Sequence, residues 1–389
     1  MRFLHTSDWH VGTLLNGKDR TQEHALFLEE LSGIVTEEKI EVVLISGDLF
    51  DTINPPAEAE RLVFDYFRTM AEKKVPVVVI AGNHDSGSRI EGRARLLQLV
   101  NVHAFGKPQK NSSIELKNEK GESLVIVALP FAGEVKLLDW DESQEQDQSQ
   151  QKSSYAEKMK TLFTILAGKN FKKGSINVMM AHLTIEGALL SGSEKSLRMS
   201  DTWALPVSML PEEGNYLALG HIHRFQKLKD SPLACYSGSP LQIDFGEEKD
   251  EKGVCIVEAK FGVPAQCAFR KLEKITPLKT LRIAQNEISE TAEIYKDFKG
   301  YLKVVVRRAP DDPKIRVAEE VRKLLPQTLI VISESPKTNV QNLPDLKNAT
   351  HDPIQAYKDY LDSQNRKPAP ELLEVFQSLM EQSAAREES

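Results

Sequence analysis

Asp8 and His10 stand two residues apart in "TSDWH". In extended chain that spacing sends both side chains from one face, where they can close on a single ion. Asp48 follows "VVLISG", Asn83 follows "VPVVVIAG", His182 follows "INVMMA", and His221 and His223 follow "YLALG" with the same spacing of two. A lone His or Asp after a strand is an ordinary cap or turn residue. Seven metal-competent side chains, each just past an apolar run, are a different matter, because capping would use Ser or Thr as readily. Four imidazoles, two carboxylates and an amide suit Mn, Fe or Zn better than Ca or Mg. They exceed the needs of one ion. Two divalent ions about 3.5–4 Å apart, sharing one carboxylate, would use them all. Such a centre stays cationic with only Asp8 and Asp48 to offset it, so it would attract a phosphate ester and favour in-line attack by water on phosphorus.

The elements that must position these residues read as alternating strands and helices. Strands are expected at 2–7, 42–46, 75–81, 124–130, 176–181 and 216–220, with helices near 21–38 and 57–73. This order implies parallel pairing, with sheets covered on both faces by helices and a ligand site at the carboxyl ends of the strands. Two later strands, near 233–237 and 253–258, read as antiparallel additions. The segment "DESQEQDQSQQKSS" at 141–154 is acidic, Gln- and Ser-rich and aperiodic, and reads as a solvated loop. His5, His24, His103 and His351 have no strand-end placement and read as structural.

At 389 residues, with 40% apolar and 28% charged side chains, the chain can bury a sizeable core in two or three domains. The net charge of −7 advertises neither nucleic acid nor a membrane surface. Cys235, Cys255 and Cys267 form no CxxC pair and are too scattered along the sequence for a disulfide framework, which fits a reducing, cytoplasmic setting. The amino-terminal stretch lacks an apolar core, and no run reaches the roughly 18 apolar residues of a membrane span, so neither export nor a membrane anchor is expected.

"DWH" at 8–10, "GDLFD" at 47–51, "GNHD" at 82–85, "AH" at 181–182 and "GHIH" at 220–223 resemble, in this order, the calcineurin-like metallophosphoesterase superfamily. More narrowly, "FLHTSDWHVG", "ISGDLFDT", "IAGNHDS", "LALGHIHRFQ" and "YSGSPLQIDFGEE" are similar to the bacterial SbcD nuclease subunits, of the meiotic-recombination DNA repair nuclease family. The resemblance implies an α/β sandwich of mixed sheets flanked by helices, with a small α+β capping domain and a C-terminal helix pair. It implies a nuclease domain over 1–275, a capping domain over 276–336, a linker over 337–350 and a helix pair over 351–389 that binds an SbcC-like coiled-coil ATPase. It further implies two divalent ions, Mn2+ first among them: Asp8, His10, Asp48 and His223 would hold one and Asp48, Asn83, His182 and His221 the other. His84 would face the scissile phosphate, oriented by Asp85. Asp51 departs from the second histidine usual in archaeal and eukaryotic relatives, which fits the bacterial branch.

The implied activity is digestion of DNA, as a 3′–5′ double-strand exonuclease and a single-strand or hairpin endonuclease, by a homodimer within a heterotetramer. An acidic chain binds DNA poorly alone, so local cations must help. Lys18, Arg20, Arg89, Arg93 and Arg95 are the candidates, and the alternative for each is a solvated helix or loop face. The terminal helices, with Pro353 and Pro370 at their starts, could bury their apolar stripes on their own domain or on a partner. Two rival functions remain: a phosphatase or cyclic-nucleotide phosphodiesterase on the same metal core, and a binding scaffold, which would normally have lost ligands.

Overall fold

The computed structural model describes residues 1–132, 148–191, 193, 204–231, 233–307 and 314–334. The linker at 337–350, the helix pair at 351–389 and His351 lie outside the described residues.

The chain opens with β1 (Arg2–Thr6), the short hairpin β2 (Leu14–Leu15) and β3 (Lys18–Asp19), and helix α1 (Thr21–Glu37). There follow β4 (Val42–Ser46), α2 (Ala57–Glu72), β5 (Val77–Ile80), α3 (Gly87–Gln98) and β6 (Val102–Phe105). A second series comprises β7 (Ser113–Lys117), β8 (Ser123–Leu129), α4 (Gln148–Asn170), β9 (Ile176–His182), β10 (Tyr216–Gly220), β11 (Gln226–Lys227) and β12 (Ala234–Tyr236). Then come β13 (Gly253–Glu258) and β14 (Gln266–Lys271). The last described stretch holds β15 (Leu278–Ala284), α5 (Ile288–Tyr295), β16 (Tyr301–Arg307), α6 (Lys314–Leu324) and β17 (Thr328–Glu334).

These strands build two six-stranded sheets, in the orders β14-β13-β1-β4-β5-β6 and β11-β12-β10-β9-β8-β7. The inner faces pack on each other, so each sheet has helices on one side only, not on both as the sequence suggests. Strand β4 shows why the apolar runs are unbroken: Val43 and Ile45 meet α1 and α2, whereas Val42 and Leu44 meet the second sheet. On the far side α4 covers the second sheet through Tyr155, Met159, Leu162, Phe163 and Leu166.

Two other expectations change. Strand β13 is antiparallel to β1, as expected, but β12 runs parallel to β10 and belongs to the other sheet. The Gln-rich segment is not all loop: 141–147 lies outside the described residues, while Gln148 onward forms the first turns of α4. Glutamine and lysine lose little rotamer freedom in a helix, and the apolar stripe that anchors it starts only at Tyr155.

Strands β15, β16 and β17 form a third sheet, all parallel, with α5 and α6 packed on it through Ile288, Val317 and Val321. It meets the larger unit where Leu278 packs with Leu15 and Phe245, and where the Leu278 amide donates to Gln242 Oε1 at 2.8 Å. Among the described residues no helix is long and apolar enough to cross a membrane.

Candidate metal centre

The candidate residues sit on four loops that leave β1, β4, β5 and β10, and on the last residue of β9. Strands β1, β4 and β5 run parallel to one another, as do β9 and β10, so their carboxyl ends open on one edge of the sandwich. Glycines allow the loops to interlock. A Cβ at Gly82 would overlap Asp48, one at Gly220 would overlap the Ser46 carbonyl, and one at Gly47 would overlap the His182 ring. Gly82 is therefore needed for close approach; its backbone is not among those with positive φ.

The backbone around the centre is unusual. Asp8 (φ 54°), His10 (φ 46°), Asp48 (φ 49°) and His221 (φ 97°) all occupy the sparsely populated positive-φ region. The extended-chain argument for Asp8 and His10 thus fails, since β1 ends at Thr6. What brings them together is the loop after β4: the Asp8 amide donates to Gly47 O at 3.0 Å and the His10 amide to Asp48 O at 3.0 Å. Such strain persists only where surrounding contacts over-determine it, and it marks functional sites.

The side chains converge. One donor atom each from Asp8, His10 and His223 lies within 4.8 Å of the others, and the same holds for Asp48, His182 and His221 and for His10, Asp48 and His84. Asn83 Oδ1 stands 3.0 Å from His182 Nε2 and 2.9 Å from His221 Nδ1, which places the amide oxygen in the second group. His10 Nε2 and His223 Nε2 face each other at 3.2 Å, and Asp48 Oδ2 is 3.3 Å from His182 Nε2 and 3.7 Å from His10 Nε2. Asp8, His10, Asp48, His182, His221 and His223 are all buried.

Outer contacts fix which nitrogen each ring presents. His182 Nδ1 donates to the Ser46 carbonyl at 2.8 Å, leaving Nε2 for the cluster. His223 Nδ1 is 3.0 Å from Glu247 Oε1 and 2.8 Å from Ser193 Oγ, leaving its Nε2 likewise. Glu247 is fully buried, bonded to Ser193 Oγ and ion-paired with Lys252 Nζ at 2.6 Å. A carboxylate behind a histidine is the outer support that metal-ligating imidazoles almost always have. Glu247 has no strand-end placement to single it out in the sequence, although it falls within "YSGSPLQIDFGEE".

His84 and Asp85 depart from expectation. The Asp85 carboxylate does not reach the His84 ring; it accepts the backbone amides of Gly82, Leu49 and Phe50 at 2.9–3.1 Å and so staples the loop after β5 to the loop after β4. Its short side chain sits beneath the turn, where amides point inward. His84 is oriented instead by Asp51, whose carbonyl oxygen accepts Nδ1–H at 2.8 Å. The His84 amide donates to Asp48 Oδ1 at 2.8 Å. Asp51 also brings Oδ1 within 3.3 Å of His10 Nδ1.

The electrostatics describe a nest of bases in need of positive charge. Burial pushes His10 down, but Asp51, Asp48 and Asp8 outweigh it and lift its pKa to about 9. His182 follows the same course to about 9, burial being outweighed by Asp48. Burial and the neighbouring His182 push His221 down to about 3. Burial would raise Asp48, yet His182 and His10 hold it below the ordinary carboxylate range. Burial, then Asp48, lifts Asp85 to about 6. Protons on His10 and His182 thus occupy the role cations would take, and a divalent ion must displace them. The donor set, the fixed nitrogens and the supporting carboxylate all fit divalent metal.

The basic candidates separate. Arg20 is buried, paired with Glu23 at 2.6 Å and bonded to the Gln242 carbonyl, so it is a structural ion pair and not a surface contact. Arg89 and Arg93 both reach Glu60 Oε1 at 3.0 Å, and Arg93 lies over the Phe64 ring. Lys18 and Arg95 are exposed. His5 and His24 are buried and structural: His5 Nδ1 meets Tyr216 Oη at 2.9 Å, and His24 lies between the carbonyls of Arg20 and Trp9, to one of which its neutral ring can donate. His103 is only half-buried, with Nε2 3.3 Å from Asn101 Oδ1.

Known proteins share this centre's sequence frame. Residues 1–225 match the family model for calcineurin-like phosphoesterases. The SbcD component of the SbcCD nuclease of Bacillus subtilis (strain 168) is 33% identical over 331 residues, covering 84% of each chain. Its counterpart in the SbcCD nuclease of Rhodobacter capsulatus is 31% identical over 313 residues, covering 76% of this chain and 74% of the relative. Among solved structures, a dimetal phosphatase from Danio rerio is 11% identical, covers 70% of this chain and 96% of its own, and has a TM-score of 0.37, too low to carry weight beside the family match. The chain belongs to the calcineurin-like phosphoesterases, which use divalent metal ions, and within them to the family of the SbcD nuclease subunits.

Proposed function

We propose that this chain is a Mn2+-dependent DNA nuclease subunit that hydrolyses phosphodiesters at a two-ion centre. The observation that carries the reading is that Asp48 groups with His182 and His221 on one side and with His10 and His84 on the other, where His10 also groups with Asp8 and His223. Asp8, His10, Asp48 and His223 would hold one ion, and Asp48, Asn83, His182 and His221 the other. Bound divalent ions would supply the positive charge that lowers the pKa of water and steadies charge developing on the phosphoryl oxygens.

The chain's own residues do the rest. Because a carbonyl oxygen only accepts, the Asp51 contact puts the His84 proton on Nδ1 and turns a bare Nε2 away from it. His84 can then accept a hydrogen bond as a neutral ring, and can donate to a leaving 3′ oxygen only as an imidazolium. Asp85 acts one step back, fixing the turn that carries Asn83 and His84.

DNA as substrate, 3′–5′ digestion of duplex ends and endonuclease action on single strands or hairpins are proposed from the resemblance to the SbcD nuclease subunits. Lys18, Arg89, Arg93 and Arg95 are proposed to touch backbone phosphate. The third sheet, within 276–336, is proposed as a capping domain. The segment 351–389 is proposed to dock an SbcC-like coiled-coil ATPase, with the nuclease as a homodimer in a heterotetramer serving DNA end and hairpin processing in the cytoplasm.

The test sets duplex DNA, p-nitrophenyl phosphate and a cyclic nucleotide side by side with Mn2+. The reading expects DNA to be cleaved and His84→Ala to lose that cleavage while keeping its metal. Turnover of only the small substrates would replace it with a phosphatase or cyclic-nucleotide phosphodiesterase. Deletion of 351–389 should abolish binding of the ATPase and spare cleavage; binding that survives would sink the docking role.

A further inference from the structure

The three cysteines, scattered in sequence, meet in space. Cys235 lies on β12 of the second sheet, and Cys255 and Cys267 lie on β13 and β14 of the first. Cys235 Sγ is 3.8 Å from Cys255 Sγ and 3.6 Å from Cys267 Sγ, and all three sulfurs lie within 4.8 Å of one another. None forms a disulfide. This cluster shares no residue with the phosphoesterase centre. We propose that Cys235, Cys255 and Cys267 form a second metal site, a thiolate site for one thiophilic d10 cation of the class of Zn2+, which ties the two large sheets together.

The geometry is that of such a site before metal enters. A zinc–sulfur bond of about 2.3 Å in a tetrahedron separates its sulfurs by about 3.8 Å. Packing alone asks only for small apolar side chains here, and does not require three sulfurs to converge. Support stands behind the ligands: Tyr216 Oη is 3.7 Å from Cys267 Sγ and 2.9 Å from His5 Nδ1, a hydrogen-bonded outer pair of the kind that steadies a metal ligand. Cys235 and Cys255, with Tyr216, hold the Cys267 thiol below its usual range, whereas burial pushes Cys255 up. An incoming divalent cation would complete the cluster by displacing thiol protons. Cys235 and Cys255 are buried, but Cys267 is partly exposed on an edge strand, which gives the ion a way in.

Softness separates this site from the other. Thiolates select d10 cations, whereas Mn2+ prefers oxygen and imidazole. The reduced full-length chain, kept in excess Mn2+, is titrated with Cd2+ as the probe. One equivalent should bind with a thiolate-to-metal charge-transfer absorption that Zn2+ then removes. Cys267→Ser, at the partly exposed position, should weaken Cd2+ by more than the roughly tenfold that loss of an outer-shell partner costs, with Mn2+-dependent phosphodiester hydrolysis unchanged. On the unmodified chain, Zn2+ should slow alkylation of Cys267 by iodoacetamide. No charge-transfer band at saturating Cd2+, a band undiminished in Cys267→Ser, or an alkylation rate indifferent to Zn2+ would each overturn the site.

Discussion

Among the described residues two clusters of metal-competent side chains stand out, and they are built in opposite ways. The Asp and His residues ride on loops beyond the strand ends, save His182 at the last position of β9, with positive-φ backbone at Asp8, His10, Asp48 and His221 and with partners such as Ser46 and Glu247 that choose the free nitrogen. The cysteines lie within β12, β13 and β14 and converge only because two sheets face each other. The first cluster holds strain that its surroundings must support; the second rests on ordinary strand geometry. Binding and catalytic residues concentrate on loops held by a rigid scaffold, whereas residues within strands are fixed by the sheets themselves.

The largest effect should fall on the loop cluster. Asp48→Ala removes the carboxylate proposed to be shared by both ions, and phosphodiester hydrolysis should fall about 10³- to 10⁴-fold, the several kcal/mol expected when metal-centred charge stabilisation is lost. A steady-state assay with Mn2+ reads this. Near-normal turnover would mean that Asp48 is not shared.

His10 and His182 of the loop cluster should titrate oppositely to the structural His5 and His24. Burial pushes His5 and His24 down to about 4, below the ordinary 6.5, so the unfolded chain takes up protons first. Their contribution to stability is intact above pH 6.5 and is lost as pH falls through 4, about 3 kcal/mol for each. Denaturant unfolding across that window measures the loss. Nitrogen-detected titration of the metal-free chain should show His10 and His182 still protonated at neutral pH. Finding His5 protonated beside them would erase the contrast.

The interlocked glycines come next. Gly220→Ala, where a Cβ would overlap the Ser46 carbonyl, should cost about 1–3 kcal/mol, whereas Gly33→Ala on α1 meets nothing and should be neutral or stabilising by about 0.5–1 kcal/mol. Urea midpoints of the two variants compare them directly; equal shifts would deny that the loops are packed against one another. Glu247→Gln should weaken metal affinity about 10- to 100-fold, read by Mn2+ titration, with His223 still present.

The sequence made the loop cluster legible because each member follows an apolar run, so position along the chain reported position in the fold. The two-sheet sandwich was legible from the family resemblance, while the strand pattern alone suggested helices on both faces, since a face buried by helix and one buried by sheet demand the same Val and Ile. The partner of His84 could not be read, because Asp51 binds it through a carbonyl that every residue has. Arg20 looked like a surface cation until Glu23, three residues on, was seen to bury it. The cysteine cluster was hidden for a related reason: residues 20 or 32 apart meet across a sheet interface whose register no local pattern encodes.

The central claim is a two-ion centre in which Asp48 is common to both ions. Mn2+ stoichiometry on the full-length chain and on Asp48→Ala, with electron paramagnetic resonance to detect coupling between ions, tests it most directly. The proposed function predicts two coupled Mn2+ per chain in the unmodified protein and no coupled pair in the variant. One Mn2+ per chain at saturation, or a coupled pair that survives loss of Asp48, would contradict it.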